Sequence, residues 1–141
     1  MTFLDELGGV PTVDKVHNLL YDKLLSHPWL KGFFVNFERW HLIEQQTEFM
    51  SDLFGRPPMY AGRAPMRAHQ HIFITEEIFM LRHEMLFKSL DEANISAEHK
   101  EHWLKLDLGM KAAIVKQSVD ECEPLYKTGD LIVVPKPPGF S

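Results

Sequence analysis

Apolar residues recur along this chain at intervals of three and four, the spacing that lines up side chains on one face of an α-helix. Val13, Val16, Leu20 and Leu24 make the first stripe, with Thr12 placed to cap the helix and Tyr21 on the same broad face. The residue before a proline is pushed out of the helical region, so His27-Pro28 ends that helix; Leu30, Phe33 and Phe34 follow as an aromatic corner. A second stripe, Leu42, Ile43, Gln46, Phe49, Met50 and Leu53, starts after Asn36 and Glu38 and stops near Gly55. Arg56-Pro57-Pro58, Gly62 and Pro65 exclude a long helix across residues 55–65. A short turn of helix from Pro65 would carry Met66 and His69 on one side. Thr75, followed by Glu76 and Glu77, opens a helix through Phe79, Leu86, Leu90 and Ala93, with His83 close to its apolar face. Asn94 and Ser96 break and restart the chain, and from Glu98 a final long helix carries Trp103, Leu106, Met110 and Ile114.

The pattern predicts an almost wholly helical domain over residues 1–120, with two long antiparallel helix pairs on either side of the proline-rich loop. Its opening, residues 2–11, is short and turns at Gly8-Gly9. Residues 121–141 read as an extended arm, with a short apolar run from Leu131 to Val134 before Pro135, Pro137 and Pro138. A hydrophobic content of 45% over 141 residues is enough for one core. The net charge of −5 and the absence of a basic run argue against non-specific nucleic-acid binding. Cys122 is the single cysteine, so an internal disulfide is excluded and a reducing compartment is compatible. No charged-then-apolar N-terminal segment and no apolar run of about 18 residues is present, so the expectation is a cytoplasmic protein without a membrane partner.

Three polar residues interrupt the apolar faces. Gln46 inside the second stripe costs about 1–3 kcal/mol if buried without a partner, so it pairs within the protein or serves a ligand. Tyr21 is either a core ring with its hydroxyl at the surface or a hydroxyl aimed into a cavity. His69, alone among apolar neighbours, is ordinarily a core residue with both nitrogens hydrogen-bonded. Taken together, two apolar walls, one nitrogen ligand and two isolated hydrogen-bonding groups would suit a flat, apolar, iron-bearing cofactor with a small polar ligand.

Over roughly residues 3–118 the chain resembles the truncated haemoglobins, and specifically their first group. Leu4-Asp5-Glu6-Leu7-Gly8-Gly9 is similar to the family's glycine-marked opening. Tyr21 stands at the distal tyrosine position, Phe34 at the phenylalanine that packs on the haem, and Leu42 and Gln46 at the distal-helix positions facing the ligand. Phe49 and Met50 match the bulky pair walling the haem. Tyr60-Ala61-Gly62, Pro65-Met66 and His69 resemble the approach to the proximal histidine, with Ile74-Thr75 and Phe79 beyond it. The sequence departs from the family at Gly55-Arg56, where a second glycine pair is usual, and at Leu20, where phenylalanine is common. It departs also at His83, where a small apolar residue would leave a ligand tunnel open.

The resemblance implies an all-α, globin-like, truncated 2-on-2 helical sandwich enclosing haem b, iron protoporphyrin IX. His69 would bind the iron, while Phe34, Leu42, Phe49, Met50, Met66, Ile74 and Phe79 would bury the porphyrin, with Arg63 and Arg67 as candidates for its propionates. Tyr21 and Gln46 would hydrogen-bond the ligand. The implied partners are dioxygen, nitric oxide and carbon monoxide. The implied activity is tight oxygen binding, with conversion of nitric oxide to nitrate supported by a separate reductase, since the chain has no nucleotide-binding glycine fingerprint. A haem-based gas sensor and a helical interaction module without haem are the alternatives. A non-haem metal site is a further one, from the Glu38-x-x-His41 spacing and the pair His99 and His102. His41 and His83 are the candidates for a sixth iron ligand.

Overall fold

Thr2 caps the first short helix, α1 (Phe3–Leu7), through a reciprocal pair of bonds with Asp5, and Gly8 ends it in the left-handed conformation, φ 106°. Gly9 then leads into α2 (Val10–Leu24), with Pro11 in its first turn, where no amide hydrogen is needed. The helix thus starts two residues before the expected cap, Thr12. A 3₁₀ turn at Leu30–Phe34 follows, its entry held by His27 Nδ1, which accepts from the amides of Trp29 and Leu30 at 3.1 Å each. The remaining helices are α3 (Arg39–Leu53), α4 (Pro65–His69), α5 (Glu76–Glu92), α6 (Ala97–Gly109) and α7 (Lys111–Ile114). Thr75 caps α5 with its hydroxyl as expected, and Ser96, at the expected restart of the chain, caps α6 in the same way. The expected single last helix is broken at Met110 into α6 and α7. This computed structural model describes residues 1–124 and 129–140; of the expected C-terminal arm, residues 125–128 and Ser141 lie outside the described residues.

The core forms where α2 packs against both α3 and α5, with α6 closing over α5. Val13, Val16, Leu20 and Leu24 are buried along α2, and Leu86 and Leu90 along α5. Trp103 from α6 fills the centre, edge-on to Phe54 at 4.9 Å, with Phe3 in turn edge-on to Phe54 at 4.9 Å. Burying such side chains supplies about 1.5–3 kcal/mol each. His17 lies in the same core, 1% exposed, with Nδ1 2.8 Å from the Thr47 hydroxyl.

The described part of the C-terminal arm is extended, and it is docked. The Ile132 amide donates to the His71 carbonyl at 2.8 Å, and the Phe73 amide donates back to the Ile132 carbonyl at 2.9 Å, a parallel bridge. Trp29 Nε1 donates to the Val134 carbonyl at 2.9 Å. Val134 sits over Gly32, where a Cβ would lie 2.7 Å from its Cγ1, so only glycine permits that approach. The arm therefore straps the segment that follows α4.

Candidate functional site

Between α3, α4 and α5 lies a cavity of about 600 Å³, within the range that holds cofactor-sized molecules. His69 reaches it from the last position of α4. Pro65 opens α4, and its carbonyl accepts from His69 Nδ1 at 2.7 Å, one helical turn along. That bond places the proton on Nδ1 and leaves the lone pair of Nε2, which has no partner among the described residues. Burial holds the ring neutral by pushing its pKa down, and the charges of Arg82 and Lys116 act the same way against the opposing Pro65 bond. A neutral imidazole with one oriented nitrogen is a metal ligand in waiting. Lys116 steadies the turn behind it, with Nζ donating to the His69 carbonyl at 2.8 Å and the Ile72 carbonyl at 2.9 Å.

Opposite and around His69, the wall contains Tyr21, Gln46, Phe34, Leu42, Phe49, Ile74 and Phe79. All of these were expected from the sequence. Tyr21 comes from α2, its ring edge-on to Phe34 at 5.7 Å, and burial raises its hydroxyl pKa, so it stays a donor. Leu42, Gln46 and Phe49 share one side of α3 through their spacing of four and three, and Phe49 stacks on Tyr60 at 5.4 Å.

Two expected wall residues are elsewhere. Met50 follows Phe49 by about 100° of helical turn, so with Phe49 on the cavity it faces the core, buried with Ile43. Met66 is 67% exposed, because the side of α4 that meets the cavity is Pro65, Ala68 and His69. Of the propionate candidates, Arg63 is at the cavity rim and Arg67 is exposed away from it. Neither His41 nor His83 is on the wall: His41 is exposed beside Trp40. Among the described residues no three His, Cys, Asp or Glu side chains gather as a metal site, so Glu38 with His41 and His99 with His102 stay isolated pairs.

Two functional features escaped the sequence reading. Beside Ile78 and Phe79, α5 brings Arg82 into the cavity, one position before His83. Its Nη1 donates to Asp107 Oδ1 at 2.7 Å, while His83 Nδ1 is 2.7 Å from Oδ2 of the same carboxylate. Burial opposes both charges, and each is the other's compensation: Asp107 is held below the usual carboxylate range and Arg82 above its ordinary value. A single arginine beside a histidine carries no sequence signal for this, since its partner lies on α6. The second is His71, also on the wall, whose Nδ1 is buried with no hydrogen-bond partner. A buried polar ring atom left unsatisfied on the cavity wall suits a bound group with a polar edge. The oriented His69, the apolar cavity and this orphan atom fit a haem.

A family model described as bacterial-like globin matches residues 2–116. A group 1 truncated haemoglobin of Tetrahymena pyriformis is 30% identical over 95 residues, 67% of this chain and 78% of that protein. Among solved structures, the truncated haemoglobin of Tetrahymena pyriformis in its Fe(III) form superposes with a TM-score of 0.76 at 26% identity, covering 83% of this chain and 100% of that one. The 2/2 haemoglobin of a Synechococcus species, in a cyanomet state with covalently attached haem, gives 0.72 at 26% identity over 86% and 94%. The helical architecture described above is thus the truncated 2-on-2 arrangement.

Proposed function

This chain belongs to the bacterial-like globin family, group I-like among the truncated haemoglobins, and on that premise we propose that it binds haem b and, through it, small diatomic gases. The observation that carries the reading is His69, with Nδ1 committed to Pro65 at 2.7 Å and Nε2 without a partner among the described residues, on the wall of a largely apolar cavity. When bound there, haem supplies an iron centre that exchanges gas ligands. Every other contribution comes from the chain itself. Pro65 orients His69 and raises its basicity, which strengthens its grip on a metal. Phe34, Leu42, Phe49, Ile74 and Phe79 cover an apolar ring system and exclude water. The Tyr21 hydroxyl and the Gln46 amide donate to a gas molecule held in the same cavity.

Such donors stabilise a ligand that gains negative charge by about 1.5–3 kcal/mol each, so two of them slow its release by more than about a hundredfold. Slow release disfavours bulk delivery of dioxygen. It favours consumption of the held dioxygen by nitric oxide, an overall conversion of NO, O₂ and one electron to nitrate, the electron coming from a separate reductase.

The test is an absorption spectrum of the purified protein, ferric and ferrous, with carbon monoxide and dioxygen added, for the native chain and His69→Ala. A haem spectrum with stable gas adducts that is lost in His69→Ala is the expected result. A colourless protein that takes up no added haemin overturns the reading. Nitric oxide consumption with a supplied reductase then tests the conversion itself, and absence of nitrate overturns that part.

A further inference from the structure

Arg82 is not needed to hold a neutral gas. It stands on α5 between Phe79 and Leu86, both buried, and lines the cavity together with Tyr21, Gln46 and His69. An ion in such a place persists only when paired, and Asp107 supplies the pairing. The two members of the pair are not equally placed. The Asp107 side chain is 3% exposed, with both oxygens engaged, one by Arg82 and one by His83. Both members line the cavity, but the Arg82 side chain keeps 26% of its surface accessible. It donates to Asp107 from Nη1, and among the described residues its Nε–Nη2 edge has no protein acceptor. With both carboxylate oxygens taken, the hydrogen-bonding capacity that the pair leaves for a ligand is the guanidinium's. Its charge also favours ionisation of the Tyr21 hydroxyl on the same wall, against the burial that raises that group's pKa.

We propose that Arg82 makes this cavity a site for a small planar oxyanion of the size and charge of nitrite, with Tyr21 and Gln46 as its other donors. The proposal rests on the haem reading, because anion and iron would share the cavity. A free guanidinium edge carries two parallel N–H groups, which match two oxygens of a planar anion and match a neutral diatomic gas much less well. A hydroxyl and an amide complete a set made of donors. The apolar side chains of the wall lower the local dielectric, so the attraction is screened less than in water. The expected preference is thus for an anion over a neutral ligand of similar size.

The experiment titrates the ferric, haem-loaded full-length protein with sodium nitrite and, separately, with imidazole as a neutral ligand, reading the absorption change. A carbon monoxide adduct of the ferrous form shows that the cavity is intact. Arg82→Leu should weaken nitrite binding about tenfold or more while imidazole affinity holds or improves. Asp107→Asn keeps the shape of the side chain and removes the compensating charge, so nitrite should bind severalfold more tightly. Nitrite affinity unchanged in both variants overturns the proposal. Equal weakening of nitrite and imidazole in Arg82→Leu also overturns it, since that is a collapsed cavity and not a lost charge. Should Arg82→Leu fail to fold, Asp107→Asn decides alone: nitrite bound no more tightly than by the native chain overturns it. A native protein that takes up no haem overturns both readings. A native protein with a normal carbon monoxide adduct and no nitrite response overturns this one only.

Discussion

Replacing Lys116 with methionine isolates what holds the segment carrying His69. The ammonium bridges three carbonyls: His69 at 2.8 Å, Ile72 at 2.9 Å and Ile114 at 3.2 Å. The last is local and long, so the two bonds to the His69 turn dominate. Bonds from a charged donor contribute about 1.5–3 kcal/mol each, and the desolvation that pushes the Lys116 pKa down offsets part of this. The net is about 2–3 kcal/mol. Methionine keeps the length of the side chain and removes the donors, while the Lys116 backbone amide retains its 2.9 Å bond to the Ile74 carbonyl. With a urea slope of about 1.5 kcal/mol per molar, the unfolding midpoint should fall by about 1–2 M. Because the bridged carbonyls belong to His69 and Ile72, haem transfer to an excess of an apo-globin acceptor should accelerate in the same variant. Lys136→Met is the control. Its ion pair with Glu77 at 3.0 Å is exposed on both sides, and such pairs contribute about 0–1 kcal/mol. A Lys116→Met midpoint shift no larger than that of Lys136→Met would refute the bridge.

Tyr21→Phe removes one donor from the gas cavity and leaves the ring, so dioxygen release measured by stopped flow should quicken by about tenfold to a hundredfold; an unchanged rate counts against Tyr21 as a donor. His17 sets a pH window for stability. Burial, aided by the Arg82 charge against that of Asp107, pushes its pKa down to about 3, against about 6.5 in the unfolded chain. Above about pH 6.5 neither state carries its proton; as pH falls from there towards about 3, only the unfolded chain gains it. Stability is therefore lost on acidification across that window, at up to about 1.4 kcal/mol per pH unit. His17→Gln keeps a polar partner for Thr47 and should flatten the profile of urea midpoints at pH 7, 5 and 4; a slope equal to that of the native chain would exclude His17 as its source.

Much of the fold is readable because its signals are local. Thr2, Thr75 and Ser96 cap helices because a short hydroxyl reaches the amide three residues on, whatever surrounds it. The stripes of α2 and α5 bury as their spacing demands. Where one face serves two environments, spacing alone fails. The stripe of α3 divides, with Leu42, Gln46 and Phe49 on the cavity and Ile43 and Met50 in the core. On α4 the same ambiguity put Met66 beside His69, whereas the side that meets the cavity begins at Pro65. One residue of offset, about 100° of rotation, separates His83 from Arg82 in just this way.

The sequence by itself determined which stretches are helical, though not the first turn of α2 or the break at Met110, the apolar character of their faces, and the set of residue types that a haem cavity needs. The tertiary structure decided which cations and carboxylates meet. Arg82 and Asp107 are separated by 25 positions, His17 and Thr47 by 30, and Trp29 and Val134 by 105. No periodicity along the chain encodes such pairings, because they arise from the angle at which one helix crosses another. The same is true of the C-terminal strap, whose short apolar run acquires a role only once the His71–Phe73 backbone lies beside it. Helix caps and stripes are set by bonds within a few residues; the electrostatics of the cavity are set by packing, and only packing could bring Arg82 to face Tyr21.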